Sequence, residues 1–164
     1  MLAFNANVAN IELSEIPLFE GLTDAQLHEV ANCCRSRTFP TNTTILTIER
    51  ASDFVYVILS GSLKIRTLHV DGSEVTLAVL GPGEVVGNIL LDERYDAYAT
   101  MVETVELTTL LWLSQEAFQS FLQTIPPLTY NLVQILQRRL QTANNYMQSV
   151  LRLDVPGRLA HRLL

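Results

Sequence analysis

The sequence predicts a mainly β fold with flanking helices, of the α+β class, followed by one long helix. Between Thr43 and Trp112 short apolar or alternating runs recur, several of them separated by turn residues at intervals of about ten, the pattern of a barrel or roll. Asp71-Gly72 supplies the strongest two-residue hairpin signal in the chain. From about Leu128 to Leu153 neither Gly nor Pro intervenes. A helix of ~26 residues at ~1.5 Å each spans roughly 39 Å.

Composition bounds the rest. With 164 residues, 48% of them apolar and 17% charged, the chain can bury one proper core and carry an appendage. A net charge of −6 gives it no overall electrostatic attraction for nucleic acid. No apolar run approaches the ~20 residues of a membrane helix, and the N-terminus MLAFNANVANIE has no basic leader region, so a cytoplasmic protein without a membrane partner is expected. Cys33 and Cys34 are adjacent, a spacing that rarely meets disulfide geometry, and read as thiols at the end of a helix. No further Cys completes an iron–sulfur or zinc site, so no metal is expected. No Ser–His–Asp or metal-spaced cluster emerges, which argues against an enzyme.

In chain order, residues 1–14 read as a loose lead-in, and Ile16-Pro17-Leu18-Phe19 before Gly21-Leu22 as a short apolar plug and turn. Thr23 with Gln26 fits a capping box opening a helix, with Leu27, Val30 and Ala31 on one face and His28 solvated. Phe39-Pro40-Thr41-Asn42 is a turn, and Thr43–Ile48 a β-branched strand. Phe54–Leu59 is a fully apolar strand stopped by Ser60-Gly61. Ser62–His69 sets Leu63, Ile65 and Thr67 against Lys64, Arg66 and Leu68, as a strand with one wet face would. Glu74–Leu80 returns after the hairpin. Ala97–Thr104 and Glu106–Trp112 follow as strands, with a break at Val105. Ser114 caps a short helix with Glu116 in its first turn, and Pro126-Pro127 stop that helix and start the next.

On the long helix Leu132, Leu136, Leu140, Ala143, Met147 and Val150 are separated by four, four, three, four and three residues, close to a heptad seam. Such a stripe would stay wet unless a second copy covered it, so a parallel homodimer is expected; Ile135, on another face, suggests that the helix also packs on its own roll. Val155-Pro156-Gly157 breaks the helix, and Arg158–Leu164, with His161, starts another amphipathic one.

The stretch 76–100, TLAVLGPGEVVGNILLDERYDAYAT, organises these elements. A strand ends at Gly81-Pro82-Gly83, recovers over Glu84-Val85-Val86, and reaches Gly87. One helical turn through Asn88-Ile89-Leu90-Leu91 and a polar loop then lead back to a strand. The N–H groups opening such a turn converge on a small volume and favour an anion.

Here the chain resembles the cyclic-AMP receptor protein/Fnr (Crp/Fnr) family of bacterial regulators. The resemblance runs from Leu18-Phe19 to Leu164, on Ser60-Gly61, Asp71-Gly72, the Gly81–Gly87 cluster and Arg138-Arg139-Leu140-Gln141. It implies a double-stranded β-helix, or jelly-roll, of the cyclic-nucleotide-binding type over residues 1–125 with its N-terminal helices. A dimerisation helix would span 126–154, and 155–164 would be a hinge and the start of a truncated DNA-binding domain. The 76–100 stretch would be the phosphate-binding cassette. A glutamate follows the last glycine in nucleotide-binding members; this chain has Asn88, beside Ile89. Where the family places an arginine and a small hydroxyl residue, Tyr98 and Ala99 stand, followed by Thr100. A second register, with Glu84 and Arg94 as the pair, keeps the spacing but moves Gly87 out of its turn. Arg139 falls where members aim an arginine at the ligand, and Asn144 where a serine contacts the base across the dimer, with Ala143 replacing a threonine. Some members sense gas through haem and a histidine; His69, at a hairpin edge, reads instead as solvent-exposed.

The resemblance therefore implies an effector-sensing, homodimeric domain of a transcription regulator. Its small-molecule effector is unknown and is not cyclic AMP held in the usual way, it needs no cofactor, and DNA is bound by a helix-turn-helix domain absent from this chain. A ligand-free protein-interaction domain and a genuine cyclic-nucleotide binder are the alternatives.

Overall fold

The structure, a computed structural model, describes residues 13–46, 53–68, 74–87 and 100–152, with the side chains of 46, 68, 100 and 150–152 left out. The chain divides into two compact units, Met1–Asn131 and Leu132–Leu164, the division falling inside the long helix.

In the first unit two short 3-10 helices, Leu13–Glu15 and Pro17–Phe19, precede α1 (Asp24–Cys33). Leu13, Leu18 and Phe19 are buried, so the lead-in is anchored from Leu13 onward. The expected capping box is present: Thr23 Oγ1 accepts from Gln26 N–H, and Gln26 Oε1 accepts from Thr23 N–H at 2.9 Å. Val30 is buried on the inner face of α1 and His28 is exposed.

Among the described residues eight strands follow: β1 (Arg35–Phe39), β2 (Thr44–Leu46), β3 (Phe54–Ser60), β4 (Leu63–Leu68), β5 (Glu74–Leu80), β6 (Val85–Gly87), β7 (Thr100–Thr104) and β8 (Thr108–Ser114). They form two antiparallel four-stranded sheets, ordered β1-β8-β3-β6 and β2-β7-β4-β5. Ile58, Leu63, Leu80, Val86, Val102 and Leu110 come from both sheets and pack in one cluster, so the sheets face each other as the halves of the expected roll. The family-type fold inferred from the sequence is the observed one.

β1 is a strand without a strand pattern in its sequence. Its segment Arg35-Ser36-Arg37-Thr38-Phe39 is polar, and it is a strand because all five residues pair with β8, from Arg35 opposite Trp112 to Phe39 opposite Thr108. The last strand begins at Thr108 rather than Glu106. Val105 is drawn into a turn against the Gly61 corner, its N–H donating to Ser62 O at 2.9 Å. The outer face of β4 is not simply wet. Lys64 and Arg66 are half-buried around the buried Glu103 of β7, Lys64 at 3.6 Å and Arg66 in an ion pair that it shares with Glu74.

Ser114 caps α2 (Gln115–Thr124), its Oγ accepting from Ala117 N–H at 3.2 Å. α3 (Pro126–Arg152) then begins on the proline pair, where a missing N–H costs nothing. Its first turns belong to the first unit: Leu128 is buried, and Thr129 Oγ1 donates to Leu122 O at 2.5 Å.

The thiols at the end of α1 differ. Cys33 is exposed and Cys34 buried. Burial, assisted by the neighbouring Cys33 and opposed by Arg35, pushes the Cys34 thiol up to about 12. A thiol reagent at pH 8 is therefore expected to add one label per chain, on Cys33, by intact mass; rapid double labelling of the folded protein would contradict this. The folded pKa is the higher one, so the Cys34 contribution is complete below about 9, the ordinary value, and fades as pH rises towards about 12.

Candidate functional site

The cassette is entered through a stapled turn. Glu84 N–H donates to Gly81 O, Gly83 N–H to Ile58 O at 2.8 Å, and Ile58 N–H to Glu84 O at 3.0 Å, fastening the turn to β3. Gly83 takes a φ of +83°. β6 then runs beside β3 with Val57 opposite Val85 and Val55 opposite Gly87. Gly87 has a φ of +126°, and a Cβ there would stand 2.6 Å from Phe54 O and 3.2 Å from Val55 Cα. Glycine is required twice over, by conformation and by backbone approach. Gly87 is the last residue of β6.

Asn88, Ile89, Tyr98 and Ala99 lie outside the described residues, as do Arg94 and His69. Thr100 opens β7 opposite Thr67, its side chain outside the description. Gly87 belongs to the first unit and Arg139 and Asn144 to the second. Arg139 is half-buried and Asn144 exposed. Arg138 is exposed and its Nε lies 3.5 Å from Gln134 O, as suits a surface charge.

The apolar stripe of α3 differs from the expectation by one residue at its start. Leu132, expected on the seam, is only 5% exposed within the single chain, so little of it remains for a partner. Val133 is 56% exposed, Leu136 38%, Leu140 62% and Met147 55%; Ala143 is exposed as well. Val133, Leu136, Leu140, Ala143 and Met147 are spaced three, four, three and four, a strict a/d alternation. Val150, the next seam position, has no described side chain. Val133 was legible in the sequence only by demanding the strict heptad. Leu132 is the larger apolar residue and nearly as well spaced, so it masked its neighbour.

No group of three or more His, Cys, Asp or Glu residues that could hold a metal occurs among the described residues. Nor is any described helix long and apolar enough to cross a membrane.

Comparison with known proteins places this architecture. The family model for the cyclic nucleotide-binding domain matches residues 36–125. The cyclic AMP receptor protein of Thermus thermophilus is 30% identical over 148 residues, covering 90% of this chain and 68% of the relative. This chain belongs to the Crp/Fnr family. Its match is to the cyclic-nucleotide-binding part of these transcription regulators, and it spans about two thirds of the length of the curated relatives. Among solved structures, the Thermus thermophilus catabolite activator protein aligns with a TM-score of 0.63 at 31% identity, covering 82% of this chain and 62% of that one. The c-di-GMP responsive global regulator CLP of Xanthomonas campestris aligns with a TM-score of 0.69 at 25% identity, covering 86% and 70%.

Proposed function

We propose that this chain is the effector-sensing, dimerising part of a Crp/Fnr transcription regulator whose effector is not cyclic AMP gripped by a Glu–Arg pair. The observation that supports this is at Gly87. The backbone that launches the cassette is kept in its demanding geometry, while the next residue is Asn88 and Tyr98 stands where an arginine is expected. Asn88 offers one neutral acceptor to a ribose hydroxyl, and Tyr98 one neutral hydrogen bond in place of a bidentate charged fork. Each charge-assisted bond contributes roughly 1.5–3 kcal/mol, so losing the fork weakens cyclic phosphate binding by about two orders of magnitude or more. CLP is described as responsive to a cyclic dinucleotide, which supports a changed effector on this fold.

Two copies would pair in parallel through the α3 seam. In that register Arg139 takes a g position and Asn144 the e position five residues on, the pair that faces across a two-stranded seam. An effector would act by binding two arrangements of the helices unequally. DNA contacts are assigned to a helix-turn-helix domain outside these residues, and the protein to the cytoplasm.

Calorimetric titration with cyclic AMP, cyclic GMP, cyclic di-GMP and 2-oxoglutarate tests the effector claim. The native chain should show no micromolar cyclic AMP binding, and Asn88→Glu with Tyr98→Arg should gain roughly a hundredfold in affinity. Micromolar cyclic AMP binding by the native protein would refute the reading and make it a true cyclic-nucleotide receptor. A second reading, an interaction domain without ligand, draws on β5, an edge strand on which Val75, Leu77 and Val79 are all exposed; no heat from any of the four compounds would favour it.

A further inference from the structure

We infer that the 3-10 turn Pro17–Phe19 is a clip joining the turn that feeds the cassette to the base of α3, with Asn131 as the positioning residue that closes it. Asn131 Nδ2 donates to Leu18 O at 3.1 Å and to Glu20 O at 2.7 Å, so one amide group holds the middle of the short turn and the residue that follows it. The turn's other bonds, Phe19 N–H to Ile16 O and Leu22 N–H to Phe19 O, use different carbonyls. The opposite side of the clip meets Gly83. A Cβ on Gly83 would stand 3.1 Å from Pro17 Cγ and 3.3 Å from its Cδ, so the ring rests directly on this backbone.

Gly83 is itself bonded to Ile58 O and lies four residues before Gly87. One stretch of chain and two contacts therefore link the cassette strand to the long helix: Gly87 through β6 to Gly83, Gly83 to Pro17, and the Pro17–Glu20 segment to Asn131. The link is stiff because Leu18, Phe19 and Leu128 are fully buried, and a close-packed site passes on a displacement instead of absorbing it. Asn131 lies two residues before Val133, where the exposed seam of α3 begins. Its purpose as a signalling contact rests on the sensor reading above; the mechanical link does not.

Hydrogen exchange of the full chain without any ligand tests the link. Asn131→Leu keeps the shape and removes the donors. It should speed exchange at the Gly83 and Ile58 amides about fivefold or more, while the amides of the β1–β8 pairing stay unchanged. In the reverse direction, Gly83→Ala, which presses on Pro17, should speed exchange at the Leu128 and Thr129 amides by a similar factor. Should Asn131→Leu fold poorly, Asn131→Asp supplies the same test, since it too lacks the donor. In the Asn131 variants, faster exchange confined to residues 16–22 and 126–131 would overturn the clip, in Gly83→Ala unchanged exchange at Leu128 and Thr129 would, and in either a uniform rise across both sheets would. The nucleotide titrations are unaffected by either result, so the link and the sensor reading fail separately.

Discussion

Replacing Leu140 with lysine is expected to turn the proposed dimer into a monomer at tens of micromolar, as read by sedimentation velocity. Leu140 occupies an a position of the Val133–Met147 seam and is 62% exposed in the single chain. In a parallel pair each a residue packs against its counterpart, so the change sets two ammonium groups against each other and removes two apolar knobs together. Little else in one chain depends on this side chain, so the monomer should remain folded. Leu132→Ala makes the contrast. Leu132 is buried within one chain, and its truncation should cost about 2–5 kcal/mol of stability. That loss should be similar at all protein concentrations, whereas a seam variant changes how melting depends on concentration. A native chain that sediments as a monomer, or a Leu140→Lys protein that remains a dimer, would remove the seam.

Gly87→Ala should be among the most damaging single-methyl changes in the roll. The positive φ alone costs a non-glycine residue about 1–3 kcal/mol. The new methyl would also stand 2.6 Å from a backbone oxygen of β3, closer than any side chain tolerates. β6 must then move away from β3 and loosen the Val57–Val85 and Val55–Gly87 pairing. A loss of about 3 kcal/mol lowers the melting temperature by about 6–12 °C in a domain of this size. Gly81→Ala is the control. Nothing lies within 4 Å of a Cβ built there and its φ is not positive, so it should leave stability unchanged or raise it by about 0.4–1 kcal/mol. Equal losses at both glycines would show that the close approach at Gly87 does not govern the cassette strand.

Much of the roll was legible because its signals are local. Phe54–Ser60 is too apolar to be anything but a buried strand, Ser60-Gly61 had to be a corner, and Thr23 with Gln26 announces a helix start by its own hydrogen bonds. Gly61 makes the point sharply, since a Cβ there would stand 2.5 Å from Thr108 Oγ1 and 2.6 Å from Leu107 O. β1 escaped notice because five mainly polar residues have no pattern of their own. Lys64 and Arg66 looked like a solvated face because their shared partner, Glu103, is remote in sequence. Of the cassette, the described residues include only the entry, where Gly87 closes on the β3 backbone.

By itself, then, the sequence determined a β-roll of short strands, its capped helices, and one long helix with an apolar stripe, since periodicity, caps and turn residues act within a few positions. Tertiary structure alone decided that Leu132 is covered within one chain while Val133 is left outward, that a polar pentapeptide becomes a strand, and that Asn131 grips the Pro17–Glu20 turn. These outcomes depend on which groups stand opposite each other in space, and burial is a property of that arrangement rather than of any residue's own chemistry.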